Sequence, residues 1–370
     1  MTNNRESFTH LMATRQIRLE HGHIFAVAPE PLGTDFDFGR IEGMMLGLAI
    51  GDALGNTTES WFPRERRARF GEIRDYLPNR ETGEKKGLPS DDTQLAFWTL
   101  EQMQEDRGFV PERVASRFCR GRIFGIGGTV REFIRNYKNG LRWYQCGPQS
   151  AGNGALMRIA PMLIPHLRPT TPDLWIDTAL SAMITHNDSG SIAACLSFIN
   201  ILWHVLRMEQ PPDPEWWPRT YMEVARDLEQ STYRPRGGAY PNFCGHIWQF
   251  VEETVEAGYD RGLSVLEAGE IWYSGAFLLE TVPSVLFILM RHAHDPEEAI
   301  IRAVNDTKDN DTIAAIVGAA VGALHGRQKI PEPWLKNLAG RTAEQDDGRI
   351  YELLKAAQSF WGQREHLSGI

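Results

Sequence analysis

The sequence is poor in cysteine, and its four, Cys119, Cys146, Cys195 and Cys244, have no close paired spacing. That excludes a cysteine-based zinc site and leaves reduced thiols in a cytoplasmic protein as the expectation. Basic runs are missing too: 39 Lys and Arg stand against 48 Asp and Glu, a formal net charge of −9. Without a basic stripe to neutralise phosphates, no nucleic-acid partner is expected. Long apolar runs are also absent. The first residues, "MTNNRESFTHLMATRQIRLEHG", lack the basic end and continuous apolar stretch of a secretory signal. The most apolar segment, "TIAAIVGAAVGALHG", is shorter than the roughly 20 residues a membrane span requires, so no membrane partner is expected either. Finally, no convincing run alternates apolar and polar residues as strands do.

What is present is helical periodicity. Apolar residues recur at three- and four-residue intervals in "VASRFCRGRIF", "LWIDTALSAMIT", "GSIAACLSFINILWHVLRM", "IWQFVEETVEAG", "VLFILMRHA" and "YELLKAAQSFW". Proline, glycine and polar residues mark loops at "PNRETGEKKGLPS", "GPQSAGNG", "QPPDPEWWPR" and "YRPRGGAYPN". The reading is all-α. With 370 residues, 42% hydrophobic and 24% charged, a large core is possible. The break at "PEPLGTDFDFG" divides an N-terminal arm, residues 1–36, from a single compact domain, residues 37–365, expected to be a monomer. The arm is too polar to build a core of its own, so it is expected to lie over the surface or to move until something binds it.

Two segments carry glycine every four residues: Gly43, Gly47, Gly51 and Gly55, then Gly318, Gly322 and Gly326. Glycine costs about 1 kcal/mol of helix propensity relative to alanine, so such a stripe needs a reason. Close approach of two helix backbones is the one expected here.

Acids gather at the ends of these apolar segments: Asp52 and Glu59 in "GDALGNTTES", Asp91 and Asp92 in "SDDTQLAFW", Asp309 and Asp311 in "TKDNDTIAAIVG". Each alone reads as a helix cap, since an acid or hydroxyl at a helix start accepts from unpaired backbone N–H groups. Together, with the hydroxyls of Ser90, Thr93 and Thr312, they form a set of hard oxygen ligands suited to one or two ions of the magnesium type. Two glycine-rich loops, "FGIGGTVREF" and "SAGNGALMRIAP", offer backbone N–H groups to phosphate oxygens, the second at an expected helix start. His186, in "THNDSGS", sits just before an apolar helix, where a structural donor and a functional one are both open readings.

In order along the chain, "GMMLGLAIGDALGNTTE", "SDDTQLAFW", "GNGALMRIAP", "THND" and "DNDTIAAIVGAAVGALHG" resemble the ADP-ribosylglycohydrolase family, most closely its bacterial dinitrogenase-reductase-activating branch. The resemblance runs from about Gly39 to about Trp361. It implies an all-α fold around two Mg²⁺ or Mn²⁺ ions, and removal of ADP-ribose from an ADP-ribosylated protein side chain, often arginine. Ser90, Asp91, Asp92, Asp309, Asp311 and Thr312 fall on the family's metal-ligand positions. Glu59 falls on its catalytic or metal-proximal glutamate, with Asp92 a second catalytic candidate. Gly127, Gly128, Gly152, Asn153 and Gly154 fall on loops that touch ADP-ribose, and His186 on the histidine beside the ribose. Either Tyr273 or Phe277 is placed to stack on adenine. The chain departs from the pattern at Thr307 and Lys308, where two glycines are common; Lys308 there can pair with a phosphate or crowd the metals. Relatives with extra N-terminal segments resemble immunity proteins against ADP-ribosyltransferase toxins, so a toxin is a candidate partner. Competing expectations are a binding protein whose arm occludes a toxin's active site, and a hydrolase of another ADP-ribose linkage such as serine.

Overall fold

The computed structural model describes residues 3–78 and 83–362. Part of the loop "PNRETGEKKGLPS" and the expected domain end at residue 365 lie outside them. The three- and four-residue apolar spacings become helices, except that in "VASRFCRGRIF" the helix Pro111–Phe118 stops at Phe118 and the remainder of the segment is irregular. The described residues hold no strand, only three isolated bridges, Gly87 to Leu338, Gly152 to Phe277 and Tyr233 to Gly245. The all-α class therefore holds. In "QPPDPEWWPR" the loop ends sooner than expected: Trp216–Ala225 is a helix, with Trp217 wholly buried.

Two helices form the axis, Gly39–Asn56 and Asn310–His325, each apolar on nearly every face and almost entirely buried. Their glycine stripes face one another at backbone contact. A Cβ added to Gly47 would stand 2.1 Å from the Gly318 carbonyl oxygen, and one on Gly318 would stand 2.1 Å from that of Gly47. The same holds for Gly43 and Gly322, and Gly51 meets the Ala314 carbonyl oxygen at 2.0 Å. At the last step Gly55 meets the Asp311 Cα at 2.4 Å, so the stripe runs directly into the acids. Any side chain here would wedge the helices apart and move the acid-bearing ends relative to each other.

Of the two behaviours expected of the arm, the structure has it lying on the body, where it contributes to the main core. Asn4–Ala13 forms a helix that buries Phe8 and Leu11, and Ile17, Leu19, Phe25 and Leu32 join the same apolar cluster. The segment is polar overall, but the residues it buries are chiefly its few large apolar ones. Asn187 clamps it, donating from Nδ2 to the Gln16 carbonyl (2.7 Å) and accepting the Arg18 N–H at Oδ1 (3.0 Å). No described helix is long and apolar enough to cross a membrane.

Candidate active site

The helix Asp91–Asp106 begins beside the carboxylate of Asp52, which projects from the first glycine helix. Asp52 accepts from the backbone N–H of Ser90 (2.9 Å), and from both the N–H (3.0 Å) and hydroxyl (2.6 Å) of Thr93. It therefore caps this helix from outside, and the side chain of Ser90, the residue at the cap position, makes no capping bond. Asp91 and Asp92 are left free of the capping task that each could have served. The same applies at Asn310–His325, where Asp309 occupies the cap position without a side-chain capping bond.

The freed acids converge. Oxygens of Asp52, Asp92 and Asp311 lie within 4.8 Å of one another, as do those of Glu59, Asp309 and Asp311. Asp91 lines the same cavity as Asp92, Asp309, Asp311, Thr312 and Glu59. Ser90 is buried behind them and its hydroxyl donates to Asp92 Oδ2 (3.1 Å). Burial, reinforced by the neighbouring Asp52 charge, pushes the Asp91 carboxyl up to about 7. Burial pushes Asp309 to about 6, and raises Asp92 and Asp311 well above the usual carboxylate range with help from their neighbours. So many buried carboxylates oppose one another unless a cation sits among them. Asp92 Oδ1 is buried with no hydrogen-bond partner, the signature of an oxygen left for such an ion. The donor set, carboxylates with a hydroxyl, suits a hard divalent cation.

Beside the acids opens a cavity of about 490 Å³. One wall is the start of the helix Gly128–Lys138, whose cap residue Gly127 turns its own N–H to the Asp91 carboxylate and makes no side-chain capping bond, which leaves the N–H groups that follow it for an anion. A Cβ on Gly127 or Gly128 would meet nothing within 4 Å; both border open space. The opposite wall is Gly152–Gly154. The helix start expected after it is a 3₁₀ turn, Leu156–Arg158, because the chain bends at once into a second turn containing Pro161 and Pro165. Here the glycines serve a different purpose: a Cβ on Gly154 would stand 2.9 Å from the His186 ring, so only glycine lets that ring reach the cavity. The Asn153 side chain is spent on the acids, donating from Nδ2 to Asp309 Oδ2 (2.6 Å) and Thr281 Oγ1 (3.0 Å). It ties the glycine loop to the carboxylate cluster. Of Tyr273 and Phe277, Phe277 lines this cavity, with the Arg236 guanidinium 4.9 Å over its ring.

His186 is nearly buried behind Gly152 and Gly154 and is held by a relay that begins at Arg158. That arginine is wholly buried and donates to the Ser181 carbonyl (2.9 Å) and to Thr185 Oγ1 (2.8 Å). With its oxygen accepting from Arg158, the Thr185 hydroxyl has its proton free for His186 Nδ1, 2.9 Å away. Nδ1 then accepts, and the ring proton belongs on Nε2, the nitrogen nearest Gly152. Burial, and secondly the Arg158 charge, lower the imidazole to about 3, so the ring is a neutral donor.

Three residues here had no clear signal in the sequence. Asp52 stood out only as one acid among several. Arg66 lies in the charged run "PRERRARF" and is wholly buried. Its guanidinium donates to the carbonyls of Trp61 (3.0 Å), Val304 (2.7 Å) and Thr307 (2.9 Å), lacing the Glu59 loop to the Asp309 loop. Arg236 pairs with Glu280, itself buried, through two bonds of 3.1 and 2.9 Å. Lys308, expected near phosphate or metal, turns away from the acids onto the rings of Tyr273 and Phe62.

A family model described as ADP-ribosylglycohydrolase matches residues 34–365. The chain belongs to the ADP-ribosylglycohydrolase family. Its similarity to the ADP-ribosylarginine hydrolase Tri1 of Serratia proteamaculans is 28% identity, covering 81% of this chain and 75% of that one. The ADP-ribosyl-dinitrogen reductase glycohydrolase of Rhodospirillum rubrum is 26% identical over 86% of this chain and 96% of its own. A solved structure described as an ADP-ribosylglycohydrolase-related protein complex matches with a TM-score of 0.64 and 25% identity, over 88% of this chain and 98% of that one. ADP-ribosylglycohydrolases are metal-dependent and hydrolyse ADP-ribose linkages in ADP-ribosylated proteins.

Proposed function

We propose that the protein removes ADP-ribose from ADP-ribosylated arginine side chains, with two Mg²⁺ or Mn²⁺ ions held by Asp91, Asp92, Asp309, Asp311, Thr312 and, through its hydroxyl, Ser90. The observation that carries this reading is the buried carboxylate cluster, with the partnerless Asp92 oxygen, opening directly into a glycine-walled cavity of about 490 Å³. The relatives whose names specify arginine favour that linkage. When bound, the ions supply Lewis-acid polarisation and offset the cluster's charge.

The chain's own residues do the rest. The start of the Gly128–Lys138 helix holds the diphosphate through its N–H groups, which explains how an acidic protein takes an anionic ligand. In the Gly152–Gly154 loop the Gly152 and Asn153 N–H groups donate to Ser150 Oγ and the Ala276 carbonyl, so that loop walls the cavity and offers the ligand only the Gly154 N–H. His186 donates from Nε2–H to an oxygen of the ligand, and Phe277 offers its face to the adenine. Glu59, at the solvent side of the cluster, moves the proton that the reaction requires, as general acid or base. Asp92 orients the reacting end, its carboxylate fixed by the Ser90 hydroxyl. Reversal of arginine modification would itself give immunity to a toxin that installs it. Occlusion of a toxin by the arm is the less favoured reading, because Phe8, Leu11, Ile17, Leu19, Phe25 and Leu32 of the arm are used in this chain's core.

The test is release of ADP-ribose from arginine- and serine-linked substrates with and without Mg²⁺. Metal-dependent release from the arginine-linked substrate is expected. Release from neither substrate overturns the reading, and release from the serine-linked one alone moves it to that linkage.

A further inference from the structure

Past Glu59 lies a second cavity, about 360 Å³, lined by Ser60, Tyr273, Gly275, Glu280 and Lys308. It shares Glu59, Arg236, Ala276 and Asp309 with the first. A bond held at the carboxylate cluster thus has one end in each cavity. With ADP-ribose in the glycine-walled cavity, as proposed above, the side chain being released belongs in the second.

The charges of that second cavity are mostly committed. Glu280 is buried and occupied on both oxygens by Arg236, while Glu59 and Asp309 belong to the acid cluster. Lys308 is different. Its Nζ lies 4.0 Å from the Tyr273 ring centroid and 4.9 Å from that of Phe62, and it donates to the Tyr273 hydroxyl. No carboxylate stands within ion-pair distance of it among the described residues. The two rings meet edge to face, centroids 6.4 Å apart, and Phe62 is 48% exposed although it is a large apolar side chain. The backbone holds this arrangement with effort. Tyr273 and Ser274 are both left-handed, at φ 76° and 36°, and in that conformation the Ser274 carbonyl accepts the N–H groups of Lys308 (3.2 Å) and Asp309 (3.0 Å). Consecutive non-glycine residues in this region store strain, which persists where a site demands the geometry.

We infer that the Phe62–Tyr273 pair is the seat for the guanidinium of the modified arginine, and that Lys308 fills it in the free protein as an exchangeable cation. A positive charge already lies against both rings, so the pair is built to hold one. A guanidinium is planar and more weakly hydrated than an ammonium, and stacks better on aromatic faces, so it displaces Lys308 into solvent. One cation replaces another, and the charge of the cavity is unchanged. A neutral, hydroxyl-linked side chain makes no claim on the rings and leaves Lys308 in place.

The proposal rests on the arginine reading, and ethylguanidine binding separates the two. It is titrated calorimetrically into the Mg²⁺-loaded protein with ADP-ribose present, for the wild type and for Lys308→Met, Phe62→Leu and Tyr273→Leu. Removing the competing cation should tighten ethylguanidine, and removing either ring should weaken it, each by about two- to thirtyfold. The same directions are expected in KM for an arginine-linked peptide, with KM unmoved for a serine-linked peptide that differs from it only at the modified residue. Phe62→Leu and Lys308→Met alter partly exposed side chains, and thermal melting confirms that they fold. An ethylguanidine affinity indifferent to all three substitutions, or one weakened by Lys308→Met, overturns the proposal whichever linkage is cleaved. Equal KM shifts on both peptides do so too. Failure to release ADP-ribose from the arginine-linked peptide, with the binding shifts present, overturns the arginine reading but not the seat.

Discussion

The carboxylate of Asp52 sits 2.6 Å from the hydroxyl of Thr93 and 3.0 Å from its backbone N–H, so one helix is capped by an acid projecting from another. This arrangement releases Asp91 and Asp92 toward the cavity. Asp52→Asn keeps the shape but turns an amide N–H₂ against donors. Removing one partner from buried hydrogen bonds costs about 1–3 kcal/mol, so the variant should melt lower than the wild type and bind Mg²⁺ more weakly. An unchanged melting temperature and Mg²⁺ affinity would show that the cap is dispensable.

The glycine contacts leave no room for a Cβ. Gly47→Ala and Gly318→Ala should each destabilise the protein by about 1–3 kcal/mol or more, and Gly322→Leu more again, read as lowered melting temperatures. Because the stripe ends at Asp311, metal affinity should fall along with stability.

The acid cluster should be costly without metal and necessary with it. Asp91→Ala or Asp311→Ala should abolish most hydrolysis while the chain stays folded. In chelator, Asp311→Asn should melt above the wild type, because it removes one of several opposed buried charges. In Mg²⁺ the order should reverse, since the ion then lacks a ligand. Melting curves in the two buffers check both halves.

Thr185→Val removes the hydroxyl that donates to His186 Nδ1 at almost no change in shape. The ring should then sample both tautomers, visible in its ¹⁵N shifts, and ADP-ribose should bind about three- to tenfold more weakly. The folded imidazole lies near 3, below its ordinary range, so the ring stays neutral from pH 5 to 8 and should add no step to the pH dependence of ADP-ribose binding. The same lowering has a sign for stability. The unfolded chain binds this proton below about pH 6.5 while the folded one does not, so the contribution is present above that range and lost as pH falls toward 3. His186→Asn should shrink the loss of stability between pH 6 and 4.

Truncating residues 1–19 should lower the melting temperature, because Phe8, Leu11, Ile17 and Leu19 leave the common core. It should also weaken ADP-ribose binding, since Asn187, released from Gln16 and Arg18, adjoins His186. Full affinity in the truncated protein would show that the arm and the site are independent.

The sequence by itself determined the helical class, through apolar spacing that only helices satisfy, and the touching of two particular helices, through glycines at four-residue intervals that have no other physical use. It also marked most of the residues that meet at the cavity, because hard oxygen ligands beside apolar helices are conspicuous in one dimension. What each residue does when the chain folds was decided in three dimensions. Whether Asp91 is a cap or a free carboxylate depends on Asp52, 39 positions earlier, occupying the N–H groups. Arg66 and Arg158 are buried by the fold against carbonyls and a hydroxyl supplied by distant segments. The arm's sparse apolar residues become core only because the body supplies the other face. Lys308 faces the rings of Tyr273 and Phe62 through a left-handed turn at Tyr273 and Ser274, a conformation the chain adopts because the neighbouring Asp309 loop fixes it there. Local spacing fixes periodicity and chemistry; hydrogen-bond partners and burial belong to contacts between distant segments, and these set the role of each acid and cation.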